Sequence, residues 1–241
     1  LLKARRDAYD GRGNFKITSP DEVEKAYRHF EGKSLMVEKF VNFKMEVSVI
    51  AIRNTKGEIA TYPMVENIHE DNILKITIAP ARVSDDVIKN AGEIAKKIMQ
   101  VLNGAGVFGI EMFIAQNNKI LINEIAPRVH NSGHHTLQSC KTSQFEQHLR
   151  AILGLDLGST DLVHKTVMYN ILGPDGFEGK YKPVQLKKDG VYLKMYGKNI
   201  SKPYRKLGHF NVVDMNDSKN TSELLGIADE IKNIISIVSL D

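Results

Sequence analysis

The chain has 241 residues, 42% of them hydrophobic and 26% charged, which is the balance of a soluble globular protein with a substantial core. The 33 Lys and Arg exceed the 29 Asp and Glu by only four and are interleaved with them, so the pattern argues against a nucleic-acid binder and suits small anionic ligands. There is no signal-peptide pattern and no apolar run near the roughly 20 residues that span a bilayer, and the single cysteine, Cys140, fits a reducing, cytoplasmic setting.

The chain opens at Leu1-Leu2-Lys3, without Met and inside what reads as a strand, so it is taken as a fragment that lacks an amino-terminal region. "LLKARR" leads into the loop "DAYDGRGN", whose two glycines permit tight turns. A helix follows from Pro20 to about Phe30, with Ser19 as N-cap, Glu22 completing a capping box, and Val23, Ala26, Tyr27 and Phe30 at helical spacing. The period then becomes two. "SLMVEKF", "EVSVIAIRN", "IATYPMVEN" and "LKITIAPA" read as strands, with "NTKGE" as a hairpin turn. Ser84 opens a helix through about Leu102, and "VFGIEMFIAQ" and "KILINEIAP" form a second hairpin across Asn117-Asn118. The loop "RVHNSGHH" precedes a helix near Gln144 to Leu153, closed by Gly154. "KTVMYNILG", "VYLKMYGK" and "KLGHFNVVD" read as three further strands, before a last helix from about Ser222 to Ile235. The order is that of an α+β protein, divided into a domain over 1–157 and a small β-rich domain over 158–241.

Glu111 and Glu124 each interrupt an apolar strand of one hairpin, where a carboxylate is costly unless paired or bound to a cation. With the turn at Asn117-Asn118 they lie near each other, and with Asn123 they form an all-oxygen set suited to magnesium bridging phosphates. The alternative is that both face water, but neither strand has polar neighbours on a matching face. Lys3 and the glycine loop after it could cradle phosphate oxygens, although the loop alone is as well a plain turn. "VEKFV", from Glu38 to Val41, could present backbone groups to a base or be an ordinary edge strand, and Glu46 alone reads as a solvated acid. In "APRVHNSGHH", Arg128, His130, Asn131 and Ser132 stand directly after the acid pair and read as an anion cradle; the three histidines lack zinc-site spacing. Lys198, Lys202, Arg205, Lys206 and His209 form a second basic cluster, either a phosphate contact or a solvated face.

The motifs "YDGRG", "VEKFVNFKMEVSVIAIR", "GVFGIEMF", "INEIAPRVHNSGHHT" and "YRKLGH", in this order from Lys3 to His209, resemble the 5-(carboxyamino)imidazole ribonucleotide synthase family of the ATP-grasp superfamily. The resemblance implies an ATP-grasp fold and a cytoplasmic, dimeric ligase of purine biosynthesis. ATP would phosphorylate bicarbonate, and the carboxyphosphate would carboxylate the amine of aminoimidazole ribonucleotide. It also implies magnesium, or manganese, at Glu111 and Glu124, and no nucleic-acid or membrane partner. Lys3 and the span Ala8, Tyr9, Asp10, Gly11, Arg12, Gly13 and Asn14 would contact ATP phosphates, the span acting as a flap. Glu38, Lys39, Phe40 and Val41 would line the adenine, Glu46 would take the ribose, and His69, Asn123 and Glu124 would complete that site. Tyr9, Asp10, Arg128, His130, Lys198 and Arg205 would serve bicarbonate and aminoimidazole ribonucleotide. Ala8 departs from the Gly often found in the family, and the family's amino-terminal domain is not in this sequence. Competing readings are another ATP-grasp ligase or formyltransferase, and a non-catalytic nucleotide-binding module.

Overall fold

The strand expected to open the chain is present in a computed structural model, which describes residues 1–6, 13–182, 184–235 and 237–240. In it β1 (Leu2–Ala4) is flanked by β2 (Asn14–Phe15) and β3 (Leu35–Val37) in a three-stranded antiparallel sheet. Helix α1 (Val23–His29) buries Ala26, which with Phe30 and Leu2 makes a small separate core. The chain enters α1 through a 3-10 turn, Pro20–Glu22, and here the expected capping box is corrected. The Ser19 side chain makes no cap hydrogen bond, and the Glu22 carboxylate instead accepts from the backbone N–H (2.7 Å) and hydroxyl (2.8 Å) of Thr18.

The strands of the remaining described residues build one nine-stranded sheet. Its strands are β4 (Phe43–Arg53), β5 (Ile59–Thr61), β6 (Val65–Glu70), β7 (Ile73–Ala79), β8 (Gly106–Ala115), β9 (Ile120–Ala126), β10 (Thr166–Leu172), β11 (Val191–Met195) and β12 (Lys206–Val213). They run in the order β11-β12-β10-β7-β6-β4-β8-β9, with β5 paired to β4, and every pairing is antiparallel. "IATYPMVEN" therefore divides into β5 and β6: between them lies Pro63, which has no N–H to give a ladder. The carboxyl-terminal strands continue the same sheet, because β10 pairs with β7.

Alternation along each strand sorts the residues between two faces. On one face Val47, Val49, Ile110 and Met112 pack with Ala91, Ala95 and Met99 of α2 (Asp85–Leu102). Further along it Tyr169, Ile171, Phe210 and Val212 meet Leu224, Ala228 and Ile231 of α5 (Thr221–Ile234), which carries a complete capping box between Asn220 and Glu223. On the other face the short α3 (Thr136–Ser139) and α4 (Gln144–Ile152) cover part of the sheet, and Ala151 of α4 packs in one core with Ile50, Ile52 and Val107 of the strands. This face also carries polar side chains that the apolar runs concealed: Ser48 on β4, Asn67 on β6, Thr77 on β7, Asn170 on β10 and Asn211 on β12, all buried. They lie under the loop that precedes α3.

Candidate functional site

A cleft of about 890 Å³ opens on this second face, between the large sheet and the small one. Its floor holds Glu111, Glu124 and His130; Lys198, Lys202, Arg205 and Lys206 line it from the carboxyl-terminal strands, and Lys3, Gly13 and Asn14 from the small sheet. Glu111 and Glu124 are direct register partners in the β8–β9 hairpin. The pairing then shifts, so that Met112 faces Ile122 and Asn123 is the extra residue of a bulge. The bulge breaks the alternation, and Ile122, Asn123 and Glu124 are consecutively exposed in the middle of a strand whose ends, Ile120 and Ala126, are buried.

His130 reaches the floor because Gly109 yields to it: a Cβ on Gly109 would sit 2.5 Å from the His130 Cβ and Cγ atoms. His130 Nε2 thereby lies 3.3 Å from Glu111 Oε1. Burial raises the Glu111 carboxyl, but the hydrogen bond and charge of His130, with His69 and Lys206 behind them, outweigh it and hold the group below its ordinary value.

The loop from 128 to 135 is pinned from both sides. Gln144 of α4 donates to the carbonyl of His130 (2.7 Å) and accepts from its N–H (2.9 Å). Asn131 and Asn170 exchange amide hydrogen bonds at 3.0 and 2.6 Å, and Asn211 donates to the carbonyl of His134 at 3.2 Å. His134 stacks on Phe145 and lies beside His209, while the His135 ring bonds the Ser139 hydroxyl at 2.7 Å. Burial pushes His134 and His135 down to about 3 and His209 to about 4, so these three rings are neutral packing elements at neutral pH. Cys140 is buried in the core beside α4, its thiol pushed up to about 11 by burial.

Of the residues singled out in the sequence, Lys3, Gly13, Asn14, His69, Glu111, Glu124, Arg128, His130, Lys198 and Arg205 line the cleft together. Glu38 pairs with Lys3 at 2.6 Å, and Glu46, expected to be solvated when read alone, hydrogen-bonds the His69 ring. Asn123 adjoins Glu124 in the bulge. Lys39 and Phe40 are exposed and Val41 half-buried beyond the cleft lining, with the Lys16 ammonium 4.0 Å over the Phe40 ring. Ala8, Tyr9, Asp10, Gly11 and Arg12 lie outside the described residues. Sequence reasoning missed Asn72, Tyr196 and Tyr204, which also line the cleft. Asn72 is carried there by a tight β6–β7 turn with positive φ at Asp71 (50°) and Asn72 (61°), and the Asp-Asn pair between two strand patterns was its signal.

Among the described residues no three His, Cys, Asp or Glu groups converge as a self-sufficient metal site. Magnesium needs less, since it binds through one or two carboxylates and completes its shell with phosphate oxygens and water. The Glu111–Glu124 pair beside a basic wall fits that requirement.

Residues 1–145 match the ATP-grasp domain family, and residues 166–223 match the phosphoribosylaminoimidazole carboxylase C-terminal domain. The chain belongs to the ATP-grasp family. This ATP-grasp chain is 42% identical over 224 residues to N5-carboxyaminoimidazole ribonucleotide synthase of Bacillus subtilis, covering 93% of itself and 58% of that protein. It is also 42% identical to phosphoribosylaminoimidazole carboxylase of Candida albicans, over 96% of itself and 42% of that longer protein. The crystal structure of N5-carboxyaminoimidazole ribonucleotide synthetase from Thermotoga maritima superposes with a TM-score of 0.85 at 44% identity, over 99% of this chain and 62% of that one. The Aspergillus clavatus N5-carboxyaminoimidazole synthase, crystallised with ADP and 5-aminoimidazole ribonucleotide, gives a TM-score of 0.84 at 33% identity, over 97% of this chain and 61% of that one. The ATP-grasp chain thus spans little more than half the length of the Bacillus subtilis relative. Among its described residues no helix is long and apolar enough to cross a membrane.

Proposed function

We propose that the protein carrying this chain uses ATP and bicarbonate to carboxylate the exocyclic amine of aminoimidazole ribonucleotide. The observation that carries this reading is the pairing of Glu111 with Glu124 in a cleft whose opposite wall holds Lys198, Lys202, Arg205 and Lys206. Two acids opposite several cations suit two anionic substrates that must meet, one bound through a metal and one through basic side chains. The similarity to a synthase crystallised with ADP and aminoimidazole ribonucleotide supports the same assignment.

The reaction balances in two steps. A bicarbonate oxygen attacks the γ-phosphorus of ATP and ADP leaves; the amine then attacks the carboxyl carbon of carboxyphosphate and phosphate leaves. Magnesium, when bound at Glu111 and Glu124, offsets charge on the transferring phosphoryl group. Lys3 and Asn14 contribute to the phosphate side, with Glu38 holding Lys3 in place through its ion pair. Glu38, Lys39, Phe40 and Val41 serve the adenine, and Glu46, steadied by His69, the ribose. Arg128 and His130 face bicarbonate, and Lys198 and Arg205 hold the ribonucleotide phosphate. Rate enhancement comes from positioning and charge stabilisation, without a protein nucleophile; Cys140, buried and with a raised thiol, has no part in it. We assign residues 1–157 to nucleotide chemistry and 158–241 to the second substrate.

The test is phosphate release by the complete protein with ATP, bicarbonate and aminoimidazole ribonucleotide. Release should require both cosubstrates and should form the carboxylated amine in equal amount. Release that ignores bicarbonate would overturn the proposal.

A further inference from the structure

Behind His130 runs a chain of buried hydrogen bonds that crosses three strands. The His130 Nδ1 atom lies 2.8 Å from the Ser132 hydroxyl. Ser48 on β4 donates to that hydroxyl at 2.7 Å, the Asn67 amide on β6 donates to Ser48 at 2.9 Å, and Thr77 on β7 donates to the Asn67 carbonyl oxygen at 3.1 Å. Ser48, Ser132 and Thr77 are fully buried and Asn67 is 5% exposed, so bulk water offers these groups no alternative partners.

The chain has a direction because a hydroxyl carries one proton. Asn67 donates its amide N–H to Ser48, so Ser48 spends its proton on Ser132. With Ser48 donating to it, the buried Ser132 hydroxyl has His130 Nδ1 as the acceptor that its side-chain contacts among the described residues offer for its own proton. Nδ1 then holds a lone pair, the ring proton sits on Nε2, and Nε2 is the atom that faces Glu111 at 3.3 Å. We infer that the Thr77–Asn67–Ser48–Ser132 chain is a positioning device that fixes His130 in its Nε2–H tautomer, so that this ring meets the cleft as a hydrogen-bond donor and has no lone pair there to take a proton. On that account His130 would bind and orient an anionic oxygen, not deprotonate a substrate. The inference deepens the proposed site and rests on it only for what His130 would bind; the tautomer itself can be read without substrate.

Glu111 also favours a proton on Nε2, so the two causes have to be separated. Glu111→Gln replaces the carboxylate with an amide that can accept from Nε2–H or donate to an Nε2 lone pair. Nitrogen-15 spectra of the complete protein, labelled in histidine, report the ring tautomer, with the His130 signals identified by their loss in His130→Gln. Both the unaltered chain and Glu111→Gln should show a pyrrole-type Nε2 and a pyridine-type Nδ1. Adding Ser132→Ala or Ser48→Ala to Glu111→Gln should give a mixture of tautomers. Adding Ser48→Thr, which keeps the hydroxyl, should restore the single form. The proposal is overturned if Glu111→Gln alone shifts the proton to Nδ1, or if the double variants keep the Nε2–H form unmixed. Ser48→Ala and Ser48→Thr decide the matter should Ser132→Ala not fold. Absence of bicarbonate-dependent phosphate release by the unaltered complete protein, with the Nε2–H spectrum present, would instead count against the proposed activity and leave the tautomer standing.

Discussion

Glu124 lies directly across from Glu111 in the β8–β9 pairing, and the strand bulges at Asn123 immediately beside it. Two carboxylates that would cost stability in the middle of apolar strands are thus turned together toward a cleft with a basic wall.

Glu124→Gln in the complete protein should abolish bicarbonate-dependent phosphate release. Glu124 is exposed, so the change should leave stability within about 0.5 kcal/mol, as surface substitutions usually do. A neutral amide cannot take the place of the second carboxylate. Normal phosphate release, with aminoimidazole ribonucleotide present, would remove the metal assignment.

Gly109→Ala should damage the site while sparing the sheet. The added methyl would stand 2.5 Å from His130, which must move off Glu111. Displacements of about 1 Å can cost on the order of 100-fold in rate. Turnover should therefore fall toward that extent while the Michaelis constant for ATP stays close to its original value. Unaltered turnover would mean that the position of His130 does not matter to the chemistry.

Arg205→Ala should separate the two anion sites. The Arg205 guanidinium lines the cleft and spends one donor on the Ile200 carbonyl at 3.1 Å. A hydrogen bond to a charged group contributes about 1.5–3 kcal/mol, so the Michaelis constant for aminoimidazole ribonucleotide should rise roughly 10- to 100-fold. The constant for ATP should stay put. A rise for ATP in its place would assign the Lys198–Arg205 cluster to the nucleotide.

How far the sequence could be read depended on how local each signal was. The β8–β9 hairpin, with its acids opposed, followed from two strand periods and a turn at Asn117-Asn118. The helices α2 and α4 and the last strands were legible for the same reason, and α5 runs Thr221–Ile234 where Ser222 to Ile235 was expected. The pairing of β10 with β7 was not legible, because no residue between Ala79 and Thr166 advertises it. The bulge at Asn123 left no mark, being one extra residue in an apolar run. Nothing in the sequence singled out Ser48 and Asn67, whose partnership arises only where the fold brings Ser132 onto Ser48. At Glu22 a correct pattern met a nearer competitor, since Thr18 offers two donors where Ser19 was expected to offer one.

Acid should unfold the chain earlier than its carboxylates alone would require. Buried His134 and His135 are held down to about 3 and His209 to about 4, against about 6.5 when unfolded. Their contribution is complete above the unfolded value and is lost as pH falls from there toward the folded values, because only the unfolded chain takes up the protons. Each histidine changes stability by about 1.4 kcal/mol per pH unit within that window. Glu111, held below its ordinary value, adds a loss in the same direction at lower pH. Urea midpoints should decline steadily from about pH 6.5 downward. A flat profile down to about pH 4 would mean that these histidines are not buried as neutral rings.

The most direct measurement follows one oxygen atom. The complete protein would be supplied with ATP, aminoimidazole ribonucleotide and bicarbonate labelled with oxygen-18, and the released phosphate weighed by mass spectrometry. If bicarbonate is phosphorylated in the cleft between Glu111 and the basic wall, each phosphate leaves with one bicarbonate oxygen, and phosphate should carry one label for each amine carboxylated. Unlabelled phosphate formed alongside the carboxylated product would contradict a carboxyphosphate route.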